Sequence, residues 1–272
     1  MTIRDHMITK EEFKLSECAS CGFVFTNPRP SRERIGEYYK SEDYISHSST
    51  KKGLINFLYN KVRNYTLGQK LRLLRKYGQG NLLLDIGAGS GHFSNHCVKS
   101  GMQVLSLEPD EDARSFARKE FGLEMKEMPE LYRLKNGEHD MITMWHVLEH
   151  VYDLQKDFGQ FARVLKAGGT FFIAVPNRMS YDAKLYQSDW AAYDVPRHLY
   201  HFRETDIRRL AEQYGFVLER TVPMKFDAYY VSMLSEKYRN GSMLKAVWNA
   251  WRSNVKSSDG GYSSQIYILK KL

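Results

Sequence analysis

The sequence predicts an α/β fold on a doubly wound parallel sheet, and three observations carry that expectation. From residue 81 onward, short apolar runs alternate with amphipathic stretches, a rhythm that calls for parallel strands covered by helices on both faces. The first run ends in glycines at every second position and passes straight into a helical stretch, as nucleotide-holding strand–helix turns do. The second run ends in a carboxylate, Glu108.

Three zones follow along the chain. Residues 1–40 carry Cys18-Ala-Ser-Cys-Gly and then Phe23-Val-Phe-Thr-Asn-Pro-Arg-Pro, a short strand stopped by two prolines. Residues 41–80 place Leu54, Phe57, Leu58, Val62, Tyr65, Leu67, Leu71 and Leu74 at helical spacing, which predicts two helices ending near Gly78 and Gly80. Residues 81–272 form the main domain. Its strands are expected at 82–86, 104–107, 123–125, 141–145 and 170–175, with helices at 91–100, 110–121 and 154–165. A helix at 205–214, a strand at 216–222 and a last strand at 264–270 complete it. Two inserts interrupt the rhythm: an aromatic segment at about 176–203 and a mostly helical one at about 227–255.

Composition narrows the class. The chain has 272 residues, 42% hydrophobic and 26% charged, ordinary for a globular protein. No apolar run is long enough to span a bilayer and the start lacks an apolar secretory core, so no membrane partner is expected. Three cysteines cannot complete a disulfide framework, which favours a reducing, cytoplasmic setting. The net charge of +8 is dispersed rather than blocked, so nucleic acid is not the expected partner.

Leu83-Leu-Asp-Ile-Gly-Ala-Gly-Ser-Gly is the most informative segment. Its glycines let a backbone approach a ligand, and the helix that follows offers free N–H groups. The spacing is G-x-G-x-G, with His92 where a dinucleotide fingerprint has its third glycine. No Gly-Lys-Ser/Thr follows, which excludes a triphosphate loop. A carboxylate at the end of the second strand accepts ribose hydroxyls, so Glu108 implies a nucleoside across the first two strands.

Asp85-Ile-Gly-Ala-Gly-Ser-Gly, Glu108 and Asp140-Met-Ile-Thr-Met-Trp-His-Val-Leu-Glu-His resemble the successive motifs of class I S-adenosylmethionine-dependent methyltransferases. The resemblance covers about residues 81–222 and implies a Rossmann-like sheet of seven strands, the last antiparallel. It also implies S-adenosylmethionine as cofactor and S-adenosylhomocysteine as product. Asp85, Gly87, Ala88, Gly89 and Gly91 would then back the methionine part, with Glu108 and Pro109 at the ribose. Glu127 and Met128 would border the adenine, and Trp145 and His146 the sulfonium. The Trp145–His150 and Trp190–Phe202 segments resemble a bacterial subgroup with an N-terminal Cys-x-x-Cys-Gly. That subgroup is similar to quinone O-methyltransferases and sugar C-methyltransferases.

Methyl transfer to a hydroxyl or carbon acid needs a base, and His titrates in the working range. Four of the nine histidines fall in two clusters, His146 with His150 and His198 with His201. His198 and His146 are the catalytic candidates, with Asp194 orienting His198. Trp190, Tyr193, Arg197 and Tyr200 are expected to line the acceptor site. Glu149 lies between His146 and His150, but no metal ligation is expected. Cys18 and Cys21 make half a zinc knuckle, and Cys97 lies inside the domain, so zinc is not expected in this chain. The resulting expectation is methylation of a small-molecule acceptor at oxygen or carbon. An RNA methyltransferase and a non-catalytic S-adenosylmethionine-binding protein stand as rivals.

Overall fold

The computed structural model describes residues 1–39, 54–257 and 261–272. The N-terminal segment forms three antiparallel strands, β1 (Thr2–Arg4), β2 (Glu12–Glu17) and β3 (Val24–Asn27). One long helix, α1 (Leu54–Tyr77), stands where two were expected; residues 41–53 of that expectation lie outside the described residues. Next come β4 (Leu82–Ile86), α2 (His92–Lys99), β5 (Gln103–Leu107), α3 (Glu111–Phe121), β6 (His139–Trp145), α4 (Leu154–Val164) and β7 (Leu165–Pro176). The first insert holds α5 (Tyr181–Tyr186) and the two-residue β8 (Tyr200–His201). The chain closes with α6 (Glu204–Gln213), β9 (Phe216–Pro223), α7 (Asp227–Tyr238), α8 (Met243–Lys256) and β10 (Ser264–Lys271).

The main sheet has the order β5-β4-β6-β7-β10-β9. β4 to β7 are parallel, and β10 runs antiparallel between β7 and β9. The fold is thus the expected Rossmann-like one, with six strands rather than seven. Near the expected third strand the edge of β5 gains only one parallel bridge, Leu107 to Lys126. Pro129 lies just beyond, in the first turn of a 3-10 helix over Met128–Arg133. Proline has no N–H to give a ladder, so pairing stops there.

Strand side chains alternate between two faces. Leu84, Ile86, Ile142, Met144, Phe171 and Ile173 face α4 and α6 through Phe158, Phe161, Ile207 and Leu210. Leu83, Met141, Phe172 and Ala174 face α1 and α2 through Leu71, Leu74, Phe93 and Cys97. A separate core joins the N-terminal strands to the insert: Ile3, Phe13 and Tyr38 pack with Tyr186, Trp190, Tyr193 and Val195. β3 also pairs with β8, so one four-stranded sheet contains both chain segments.

Candidate active site

The C-terminal ends of β4, β5, β6 and β7 share one edge, where open α/β sheets take their ligands. After β4, Gly87, Gly89 and Gly91 all have positive φ. A Cβ on Gly87 would lie 2.4 Å from Val147, whereas a Cβ on Gly89 would meet nothing within 4 Å. Gly89 therefore fronts open space, as a turn that cradles a ligand would. Gly87 and Ala88 donate to the Leu107 carbonyl, which holds the turn against β5.

Glu108 anchors that turn. Its Oε2 accepts from Gly89 N at 2.7 Å and its Oε1 from Asp110 N at 2.9 Å. A carboxylate has about four lone-pair sites, so each oxygen retains one for a hydroxyl. Burial raises its pKa against these two donors. Arg114 binds the carbonyls of Glu108 and Pro109 and reaches Glu127 Oε1 at 3.3 Å. The Glu127–Met128 turn is thereby tied to the end of β5. Asp85 works from beneath: it is 1% exposed and accepts from Ser94 Oγ and Thr143 Oγ1. Its carboxylate braces α2 against β6 and presents no open face.

Trp145 ends β6. Its buried Nε1 has no hydrogen-bond partner among the described residues, and Lys70 Nζ of α1 sits 4.3 Å from the ring centroid. Burial lowers the Lys70 pKa to about 8 although Asp227 and Asp85 oppose it. Among the described residues this amine has ring contacts but no hydrogen-bond acceptor. His146 has φ 58 and both ring nitrogens committed, Nε2 to Asp227 at 2.9 Å and Nδ1 to Glu149 at 3.3 Å. Burial works to lower its pKa, but the two carboxylates outweigh it and hold it near 10. His146 is therefore an imidazolium at neutral pH.

The insert folds back onto this turn. Leu199 N donates to the Glu149 carbonyl, and His150 Nδ1 lies 3.0 Å from the Arg197 carbonyl. His198 Nδ1 lies 2.8 Å from the Ala192 carbonyl, so Nδ1 carries a proton and Nε2 is the ring nitrogen left for another partner. That Nε2 is 4.0 Å from both Glu149 Oε1 and Asp194 Oδ2. The burial of Glu149 is outweighed by its histidine neighbours, which hold its pKa near 2. Glu149, His150 and His198 each offer a ligand atom within 4.8 Å of the others, the spacing of a shared cation site.

The residues expected to line an acceptor are placed differently. Trp190 and Tyr193 are buried in the N-terminal core, and Trp190 Nε1 donates to Asp182. Arg197 is 1% exposed and bonds Asp194, Asp5 and the Tyr38 carbonyl. Asp194 is thus spent on Arg197 more than on His198. Tyr200 is half-buried and donates to the Tyr152 carbonyl. Aromatic and cationic groups in an insert serve a core as readily as a pocket, and here the N-terminal strands supply that core. Sequence reasoning passed over Lys70, Asp227 and Glu149 as site residues. Only Glu149 had a local signal, its place between His146 and His150.

The model of a family described as a methyltransferase domain matches residues 59–221. A probable S-adenosylmethionine-dependent methyltransferase of Mycolicibacterium smegmatis is 25% identical over 186 residues, 62% of this chain and 68% of that protein. A ubiquinone biosynthesis O-methyltransferase of Xanthomonas oryzae pv. oryzae is 26% identical over 177 residues, 61% of this chain and 72% of that protein. In fold, the chain is similar to magnesium protoporphyrin IX methyltransferase from Synechocystis, solved with bound SAH. The TM-score is 0.58 at 16% identity, covering 89% of this chain and 100% of that one.

Proposed function

From the premise that this chain belongs to the methyltransferase-domain family and is an S-adenosylmethionine-dependent methyltransferase, we propose that it methylates an oxygen or carbon acid of a small molecule, with His198 as base. The observation that carries this reading is the Nδ1–H bond of His198 to the Ala192 carbonyl, which leaves Nε2 free to take a proton. The Xanthomonas relative, named as an O-methyltransferase, supports an oxygen acceptor. The finer placement, in the bacterial subgroup with an N-terminal Cys-x-x-Cys-Gly, rests on the Trp145–His150 and Trp190–Phe202 motifs.

When bound, S-adenosylmethionine supplies a methyl group already activated on a sulfonium. The Gly87–Gly91 backbone and Glu108 would hold its methionine and ribose parts, Glu127 and Met128 its adenine. Lys70 has the charge and the missing partner to meet its carboxylate. The protein's own work is alignment and proton removal. His198 Nε2 takes the proton, with Glu149 Oε1 and Asp194 Oδ2 each 4.0 Å away. His146, already protonated, has no lone pair to offer as a base. Its part is to hold Asp227 and Glu149 in place around the sulfonium corner.

The test is His198→Ala on whichever member of a panel of phenolic and sugar acceptors the enzyme converts. Turnover should fall about 10²–10⁴-fold with cofactor affinity and melting temperature nearly unchanged. Retained turnover, or a loss that merely follows stability, would remove His198 from the role.

A second reading rests on Glu149 Oε2, which is buried without a hydrogen-bond partner among the described residues. A divalent cation shared by Glu149, His150 and His198 would satisfy it and occupy the lone pair of His198. Chelation that abolishes turnover, with recovery on adding the cation, would select this reading over the base.

A further inference from the structure

The helix α8 is built inside out. Its buried side consists of Ala246, Asn249, Ala250 and Ser253, all small or polar. Leu244, Val247, Trp248, Trp251 and Val255 recur at i, i+3, i+4, i+7 and i+11, a single helical face, and every one is exposed. Leu244 is 85% exposed, Trp248 55% and Trp251 47%, and the two indoles stack at 5.0 Å. Asn254 donates to the Lys225 carbonyl, which ties the end of α8 to the start of α7. Phe226 and Tyr230 are exposed there too. A soluble helix turns its large apolar residues inward, so an outward ridge of this kind marks an interaction surface.

We propose that this face adsorbs to the surface of an anionic lipid bilayer, with α8 lying in the interfacial plane. Tryptophan and leucine beside a row of basic residues is the pattern of an interfacial helix. That row is Lys245, Arg252 and Lys256. Arg252 and Lys256 lie against the Tyr181 ring, while Lys245 approaches Glu236 at 3.9 Å. The net charge of +8 adds long-range attraction to anionic headgroups. A second copy fits less well, because two-fold packing of the ridge would set the two basic rows close together. No helix among the described residues is long and apolar enough to cross a membrane. The proposed contact is therefore adsorption. Asp227, next to Phe226, bonds His146, so adsorption would bring the candidate site close to the bilayer. The proposal does not depend on which acceptor is methylated.

The experiment is co-sedimentation of the full chain with mixed phosphatidylglycerol–phosphatidylcholine vesicles and with pure phosphatidylcholine vesicles. Tryptophan emission and light scattering are followed in parallel. The mixed vesicles should bind the protein in a salt-sensitive way, with a blue shift of emission. Trp248→Ser with Trp251→Ser should weaken binding about tenfold or more. Arg252→Glu with Lys256→Glu should weaken it on the mixed vesicles. Both variants alter surface positions, and unchanged circular dichroism and cofactor affinity would confirm that they fold. Absence of binding to mixed vesicles, or binding that survives loss of both tryptophans, overturns the proposal. So does a dimer that the tryptophan variant dissolves while vesicles bind nothing.

Discussion

The turn after β4 and the segment after β7 leave the same edge of one sheet, yet they are ordered in opposite ways. The turn is held by its immediate neighbours. Positive-φ glycines shape it, Leu107 and Glu108 on the next strand secure it, and Asp85 braces it from below. The segment after β7 is held from far away. Arg197 is fixed by Asp5, 192 residues distant. Thr26 Oγ1 of β3 donates to the His198 carbonyl at 2.7 Å. A cofactor common to a whole family can be served by a local device. The segment after β7, the side proposed to face the acceptor, borrows its rigidity from the N-terminal strands.

The largest effect that would break this comparison is on Arg197. Arg197→Met leaves the fully buried Asp5 without its cation, and breaking a buried pair costs about 3–5 kcal/mol. Urea unfolding should show that loss, and Asp5→Asn should reproduce much of it. A loss under about 1 kcal/mol would mean that the N-terminal strands do not hold the segment. Glu108→Ala should act on binding instead, weakening S-adenosylmethionine by about 1.5–3 kcal/mol in calorimetry. Affinity unchanged by that substitution would sink the ribose assignment. The smallest effect sharpens the local side. Lys70 is charged below its pKa of about 8, so an ammonium that pairs with the cofactor should lose affinity for it as pH rises through that value. Lys70→Met should bind several-fold more weakly at neutral pH and show a flat profile. A wild-type profile that is equally flat would release Lys70 from the cofactor.

What was legible in the sequence follows the same division. The strand–glycine–helix junction and Glu108 lie within about two dozen residues, and each carries a spacing that only one local geometry explains. His146 stood out as a titratable group at a strand end. Its charge state did not, because Asp227 sits 81 residues away and nothing local announces the pair. Trp190 and Tyr193 suggested a pocket wall because the core that absorbs them is completed by Ile3, Phe13 and Tyr38. The helical character of 227–255 was visible. The direction of α8 was not, since periodicity defines a face without saying which way it points. Lys70 is one of three lysines on α1, and only tertiary packing separates it from a solvated one.

Gly87 and Val147 touch across the site, and a single added methyl would bring them to 2.4 Å. The wall between the cofactor turn and the histidine turn is therefore one hydrogen thick. These two turns form a matched set, as a lock's ward and its key bit do. A cofactor turn grafted from a relative would need its own partner at position 147 to travel with it. Chimeras that exchange residues 83–91 alone should fold less well than those that exchange 83–91 and 145–150 together, whatever acceptor each parent prefers.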